Sequence, residues 1–237
     1  MRQIKSLLLL SLLVAGSLLG SDFSAIPDKC LQLLVVDAPD WNTYEGSLRL
    51  YERSESGAIW KTVGDLISVD VGENGMAWGL GLHTIPSNAE FIKKEGDGRA
   101  PAGIFALGRA FGLAAPEDMT RLKMPYLMLT PSIEAVDDPN SQYYNQIVDR
   151  ATISNPDWNS SEKMSSIVPC YILGVEILHN FPNPVSGAGS AIFFHIWRES
   201  THAGTAGCTS MSREHIETLI NWLDASKFPL LLQMPRA

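Results

Sequence analysis

The sequence predicts a mainly β, sandwich-like domain with one helix near its C-terminal end, and three observations support this fold class. Short segments alternate apolar with polar side chains, as half-buried strands do. Glycine, aspartate and proline separate these segments at short intervals, which favours an antiparallel meander over βαβ units. One later segment instead has helical spacing, with apolar residues at Ile216, Leu219, Ile220 and Leu223.

The predicted strands follow one another along the chain. Residues 47–53 show the clearest alternation, and residues 191–197 form an apolar, aromatic run that we expect to be a central strand. Residues 160–167 predict a short helix, and the loops are expected at residues 72–82 and 180–190. The predicted strands are residues 31–37, 47–53, 58–63, 66–71, 104–107, 127–130, 171–178, 191–197 and 229–234.

The length predicts one domain behind a short N-terminal leader. The chain has 237 residues, 45% of them hydrophobic, which suffices for one substantial core. We therefore expect a single domain over residues 26–237. Arg2 and Lys5 precede an uncharged apolar run at residues 6–19, the pattern of a secretory signal peptide within residues 1–25. An uncleaved N-terminal anchor is the alternative, because no clean cleavage motif follows the run. The protein is therefore predicted to be exported.

The charge of the chain bears on its partners. The formal net charge is −8, and no stripe of lysine and arginine is available to neutralise phosphates. This composition argues against nucleic acid as a partner. After processing we expect no stable membrane span, since no second hydrophobic stretch is long enough. The sequence leaves the oligomeric state open.

Three cysteines in an exported protein leave one without a disulfide partner. Cys30 and Cys170 each lie next to hydrophobic, strand-like sequence, so they either form a disulfide or remain two separate buried thiols. Cys208 differs from both, because it lies in a polar segment after Gly207. Cys208 is thus the cysteine whose surroundings suit reactivity.

The segment around Cys208 predicts a cysteine nucleophile. A thiolate requires a base, a cation or a helix N-terminus to persist near neutral pH. His195, at the end of the predicted central strand, is the expected base, and His202 on the following loop is the competing one. Ser212 predicts a helix start shortly after Cys208, where the helix dipole would lower the pKa of the thiol. The backbone N–H groups of Gly207 and Cys208 are the expected oxyanion donors.

Four segments in this order resemble the catalytic domain of the L,D-transpeptidase family (YkuD-type). They are WGLGLH at residues 78–83, GDGRAPAGIF at 96–105, DDPNSQYYNQIVD at 137–149, and the final segment at 191–211 that contains TAGC. The resemblance covers residues 31–235. The chain departs from the commoner pattern at Ala206, where many members have histidine, and at Ser210, where arginine or asparagine is usual.

The resemblance implies an L,D-transpeptidase-like β-sandwich in the periplasm or cell wall, acting on peptidoglycan stem peptides. Cys208 would release D-alanine from a tetrapeptide and pass the acyl group to an amine. Water as acceptor would make the protein an L,D-carboxypeptidase, and the departures at Ala206 and Ser210 leave a catalytically silent wall-binding protein as a further alternative.

The resemblance also implies roles for residues around the predicted nucleophile. The Ile196 carbonyl would orient His195. Arg198 either contacts a substrate carboxylate, which the forked donors of arginine suit, or is an exposed structural arginine. Thr205 and His83 would belong to the substrate pocket. No metal or organic cofactor is required, and the spacing of the histidines around Cys208 matches no compact metal-ligand pair.

Overall fold

The computed structural model describes residues 26–198 and 203–236. The predicted signal peptide at residues 1–25 and the competing base His202 therefore lie outside the described residues. Among the described residues, no helix is both long and apolar enough to cross a membrane.

The described residues are mainly β, as the sequence predicts. The single α-helix of the described ranges, α1 (Arg213–Trp222), begins after the N-cap Ser212, whose hydroxyl accepts a hydrogen bond from the backbone N–H of His215. The strands are β1 (Gln32–Ala38), β2 (Glu45–Glu52), β3 (Lys61–Asp70), β4 (Met76–Trp78), β5 (Ala100–Gly112), β6 (Tyr126–Met128), β7 (Ile133–Val136), β8 (Ile147–Asp149), β9 (Ser161–Lys163), β10 (Leu173–Ile177), β11 (Phe193–Ile196), β12 (Thr209–Met211) and β13 (Leu230–Pro235).

Ten strands form one sheet in the order β10-β11-β12-β3-β2-β1-β13-β5-β4, and β6 joins beside β5. Because β10 also pairs with β5, the sheet closes on itself. A separate three-stranded sheet has the order β8-β7-β9. The predicted antiparallel meander holds for β1, β2 and β3 only, since β1 pairs with β13 and β11 with β12 in parallel. The helix α1 connects β12 to β13, which are not neighbours in the sheet.

Three predicted elements, two strands and one helix, were wrong. Residues 58–63 and 66–71 belong largely to one strand, β3, because Gly64 takes a positive φ of 63° beside a register shift and absorbs the irregularity within the strand. The predicted helix at residues 160–167 is strand β9 followed by a 3₁₀ turn, Met164–Ser166. Pairing of β9 with β7 overrides the local helix preference.

The two faces of β11 meet different apolar clusters. Phe194 and Ile196 pack in the main core, together with Ile216, Leu219 and Ile220 of α1. Phe193 faces a second cluster, which also contains Tyr171, Cys170 and Cys208. Since side chains alternate along a strand, His195 shares the face of Phe193. The second cluster therefore surrounds the predicted site.

The three cysteines are free and buried, so the predicted disulfide between Cys30 and Cys170 is absent and the alternative of two separate thiols holds. Cys30 lies in a third apolar cluster with Leu33 and Tyr51, whereas Cys170 belongs to the cluster beside β11. Burial raises the pKa of the Cys30 thiol to about 11. This thiol stays protonated at neutral pH.

Candidate functional site

The parallel pairing of β11 with β12 brings His195 and Cys208 to one side of the sheet. His195 pairs with Ser210, and Cys208 lies two residues before Ser210, level with Phe193. The Cys208 Sγ accepts a hydrogen bond of 3.3 Å from the Phe193 backbone N–H. Diagonal neighbours on adjacent strands are about 7–8 Å apart at Cα, within reach of long side chains. The structure therefore places the predicted nucleophile and base in neighbouring positions.

Tyr171 lies beside His195 and Cys208. The sequence predicted this tyrosine to be part of a core strand. Its ring centroid lies 5.5 Å from the rings of both His195 and Phe193, and it packs in the same cluster as Cys208. Its hydroxyl donates a hydrogen bond of 2.7 Å to Glu162 Oε2. Tyr171 lies in a 3₁₀ turn, Cys170–Ile172, rather than in β10, so its ring turns towards β11. Nothing in the local sequence around Tyr171 indicates this contact.

His195 has the protonation state that a general base requires. The Ile196 carbonyl oxygen lies 2.8 Å from His195 Nδ1, and a carbonyl only accepts, so Nδ1 carries the proton. This leaves Nε2 with a lone pair. Burial, together with the positive charge of Arg198, lowers the pKa of His195 to about 4 against the opposing effect of the Ile196 carbonyl. The imidazole is therefore neutral at pH 7.

Cys208 is protonated in the resting protein, contrary to the expected thiolate. Cys208 is buried, with 8% of its surface exposed. Burial raises the pKa of its thiol to about 12, and the negative charge of Glu162 adds to this shift. The thiol donates to the Ala191 carbonyl at 3.4 Å. The resting pair thus consists of a neutral thiol and a neutral imidazole.

The expected contribution of the helix dipole to Cys208 is absent. Strand β12 and Ser212 separate Cys208 from the first residue of α1, Arg213. Extended chain rises about 3.3 Å per residue, so the sulfur lies beyond the first helical turn, where the dipole acts. The periodicity of α1 predicted the helix correctly, but it did not reveal the intervening strand.

Thr205 supports the turn before Cys208. Its hydroxyl donates 2.6 Å to the Cys208 carbonyl and accepts from the Gly207 N–H at 3.1 Å. The Gly207 N–H is therefore occupied, and the expectation that it is a free oxyanion donor is wrong for this resting state. The Cys208 N–H has no hydrogen-bond partner among the described residues. Thr205 shapes the turn, and the Cys208 N–H is the remaining donor of the predicted pair.

The two predicted substrate contacts from elsewhere in the chain differ in position. Arg198 is exposed at the end of β11, close enough to His195 for its charge to lower the pKa of that imidazole. His83 instead packs against Gly103, and its Nδ1 accepts from the Ile104 N–H at 3.0 Å. No contact within the described ranges joins His83 to Cys208. His83 therefore lies outside the group formed by His195, Tyr171 and Cys208.

The segment at residues 137–149 forms a turn and makes hydrogen bonds to the chain before β11. Asp138 accepts hydrogen bonds from the backbone N–H groups of Asn140 and Asn159, which lower the pKa of its carboxyl group. Asn145, at the other end of the segment, accepts from the Ala191 N–H at 3.1 Å and donates to the carbonyl of Asn180. These contacts fix the chain that leads into β11.

Two charged groups near Cys208 were not predicted. Glu162 stays partly exposed as a residue, but burial of its carboxyl group raises the pKa to about 7. Lys93 is buried and lies close to Gly207. A methyl group added to the Cα of Gly207 would lie 3.7 Å from the Lys93 Nζ. Both charged groups are far from Cys208 along the chain.

Among the described residues, no group of three or more His, Cys, Asp or Glu side chains is arranged to hold a metal ion.

An open cavity of about 720 Å³ lies beside the site. Residues of β5 and β10 form much of its wall, and Ala191 and Phe193 belong to the same wall. Neither His195 nor Cys208 lines this cavity.

Comparisons with known proteins leave the family open. No family model and no curated protein matches the chain. A solved structure, that of Bd1075 from Bdellovibrio bacteriovorus, is similar to it with 15% identity and a TM-score of 0.40. The similarity covers 86% of this chain and 47% of that chain, so this chain spans about half the length of that structure.

Proposed function

We propose that this protein is a cysteine acyltransferase of the L,D-transpeptidase type, exported to the periplasm or cell wall and acting on tetrapeptide stems of peptidoglycan. The observation that supports the proposal best is the placement of Cys208 beside a neutral His195 whose Nε2 holds a lone pair. The closed sheet with a helix after Cys208 is compatible with the proposed L,D-transpeptidase-like sandwich. Three of the four family-like segments meet at this site, through the close approach of Gly207 to Arg99 and the hydrogen bond between Ala191 and Asn145.

The first half of the reaction uses the neutral pair. As Cys208 Sγ attacks the carbonyl that precedes D-alanine, its proton passes to His195 Nε2. The tetrahedral oxyanion is stabilised by the Cys208 N–H. The C–N bond to D-alanine then breaks, and His195 returns the proton to the leaving amine. A thioester on Cys208 and free D-alanine result.

The second half transfers the acyl group to an amine. The acceptor amine attacks the thioester carbonyl and loses a proton to His195, and the new amide forms as the C–S bond breaks. His195 then reprotonates the leaving sulfur of Cys208. Water in place of the amine would give carboxypeptidase activity by the same steps.

A second candidate function is a catalytically silent, wall-binding protein of the same fold. The observation that favours it is the burial of Cys208 in an apolar cluster, where the pKa of its thiol is raised to about 12 and its S–H donates a hydrogen bond to the Ala191 carbonyl. An ordinary, buried cysteine has these properties. The occupied Gly207 N–H points in the same direction.

Incubation with a disaccharide-tetrapeptide and mass analysis of the products separates these functions. We expect the wild type to release D-alanine and to form an amide-linked product when a diaminopimelate amine is supplied. Cys208→Ala should abolish both. Cys170→Ala is the matched control, because it removes a buried thiol from the same apolar cluster and should retain turnover. Unprocessed substrate with the folded wild type would favour the silent protein.

A further inference from the structure

A buried cation lies beneath the turn that presents Cys208. Lys93 is only 5% exposed, although lysine is rarely buried to this extent. Its Nζ would lie 3.7 Å from a side-chain methyl at Gly207, the residue before the nucleophile. A methyl group added to Gly189 would likewise lie 3.0 Å from the Lys93 Cε. The Lys93 side chain therefore fills the space between Gly207 and Gly189. A larger residue at either glycine would meet this side chain.

The ammonium group is held in place but is not fully paired. Nζ donates 2.5 Å to Asp97 Oδ1 and 2.8 Å to the carbonyl of Lys94. An ammonium has three N–H donors. Within the described parts of the chain, the third has no acceptor. An unused donor on a buried charge is costly unless another group uses it.

The charges around the two groups decide what Lys93 does to the thiol. Cys208 is faced by Glu162 and Tyr171 as well as by His195 and Lys93. Glu162 raises the pKa of the thiol, whereas Lys93 lowers it. Lys93 is itself faced by Asp97 and His179, and its charge contributes to the lowered pKa of His179.

We propose that Lys93 is a positioning residue of the Cys208 site, a fixed positive charge beneath the Gly207–Cys208 turn that stabilises negative charge on the sulfur and on the oxyanion formed there. The oxyanion part rests on the proposed function, whereas the effect on the sulfur does not. Because Lys93 is buried, water screens its field weakly. The simpler alternative is an ion pair that serves only to close the turn, where Asp97 also accepts from the backbone N–H groups of Lys94 and Arg99.

The test is the pH profile of Cys208 alkylation by iodoacetamide, followed by mass spectrometry of the Cys208 peptide. Lys93→Met should lower the rate at pH 8 about three- to tenfold, because each unit of pKa changes the thiolate fraction tenfold and the higher intrinsic reactivity offsets part of this. Lys93→Arg should restore the rate to within about twofold, since it retains the charge. Lys227→Met is the matched control, because it also removes a lysine from an ion pair, with Glu52, and should leave the rate unchanged.

A Lys93→Met profile that coincides with that of the wild type in a folded protein overturns the proposal. So does a loss that Lys93→Arg fails to restore. If Lys93→Met does not fold, Asp97→Asn provides the test, since it leaves the ammonium unopposed and keeps an oxygen for the turn. Its alkylation should be faster than that of the wild type, and an unchanged or slower rate overturns the proposal.

This measurement is separate from turnover. If the wild type releases no D-alanine but its Cys208 alkylation depends on Lys93, the proposed acyltransferase function is overturned and the electrostatic role of Lys93 stands. If the wild type processes the tetrapeptide and neither alkylation nor turnover depends on Lys93, the acyltransferase function stands and the electrostatic role of Lys93 is overturned.

Discussion

The hydroxyl group of Tyr171 donates a hydrogen bond of 2.7 Å to the carboxylate of Glu162. The same tyrosine ring lies 5.5 Å from the ring of His195 and packs beside Cys208. A partly exposed acid is thereby connected, through one buried side chain, to both groups of the candidate site. We therefore expect the protonation of Glu162 to affect the reactivity of the sulfur.

Glu162→Gln should make Cys208 more reactive above pH 7. Burial, and the negative charges of Asp137 and Glu95, raise the pKa of Glu162 to about 7 against the opposing bond from Tyr171. In the wild type the carboxylate forms as the pH passes 7 and raises the pKa of the thiol, so the alkylation rate should rise less steeply there. The variant lacks this charge, and its rate at pH 8 should be about three- to tenfold higher.

Iodoacetamide alkylation between pH 6 and 9 measures this effect. Glu217→Gln is the control, because Glu217 lies on α1 and pairs only with Arg213 in the described structure. Parallel profiles for the wild type and Glu162→Gln would show that the carboxylate does not act on the sulfur.

Glu162 should also make the stability of the protein depend on pH. Its pKa is higher in the folded state, at about 7, than its ordinary value of 4.5. Between these values the unfolded chain has lost a proton that the folded protein keeps. The stability from this group is therefore present below pH 4.5 and lost as the pH rises through 7. Glu162→Gln should gain up to about 3 kcal/mol relative to the wild type between pH 4.5 and 8.

Urea unfolding of both proteins at the two pH values gives this difference directly. A difference between variant and wild type that stays constant with pH would contradict the raised pKa. Glu217→Gln again serves as the control, with the same charge change on α1.

His195 should remain an active base well below its ordinary pH range. Burial lowers the pKa of the imidazole to about 4, so protonation should inactivate it only below about pH 5. The acid limb of kcat/KM for D-alanine release should accordingly be centred near pH 4, and an acid limb centred near 6.5 would show that His195 titrates as an ordinary histidine. His195→Gln should reduce turnover about 10²–10⁴-fold, the usual contribution of a general base.

Thr205→Val should loosen the turn that carries Cys208. The change keeps the shape of the side chain and removes the hydroxyl that bonds the Cys208 carbonyl and the Gly207 N–H. Each bond contributes about 1 kcal/mol, so we expect a loss of roughly 1–3 kcal/mol of unfolding free energy. Thr205→Ser keeps the hydroxyl and should retain most of the stability. Unchanged stability of Thr205→Val in urea unfolding would show that the hydroxyl bonds do not hold the turn.

His83→Ala should leave the reactivity of Cys208 unchanged. His83 bonds to the Ile104 N–H and packs on Gly103, and no described contact connects it to the site. Its loss should reduce stability, because a ring is removed from the space above Gly103. Iodoacetamide alkylation at pH 8 within twofold of the wild type is the expected result, and a larger change would restore His83 to the site.

Several features could be predicted because their signals are local. Alternation located β2, and helical spacing with an N-cap serine located α1 after Ser212. His195 and Cys208 could be paired in advance, since one apolar strand and one short loop separate them.

The sequence by itself determined the mainly β character of the chain, its helix and the two chemically plausible partners, because periodicity and residue type act over a few neighbouring positions. Only the tertiary structure decided that β12 separates Cys208 from the helix, and that Tyr171, Glu162 and Lys93 surround the sulfur. The protonation states of His195 and Cys208 were decided there too. Burial and the charge of distant residues set a pKa, and both depend on which segments meet in space rather than on their order along the chain.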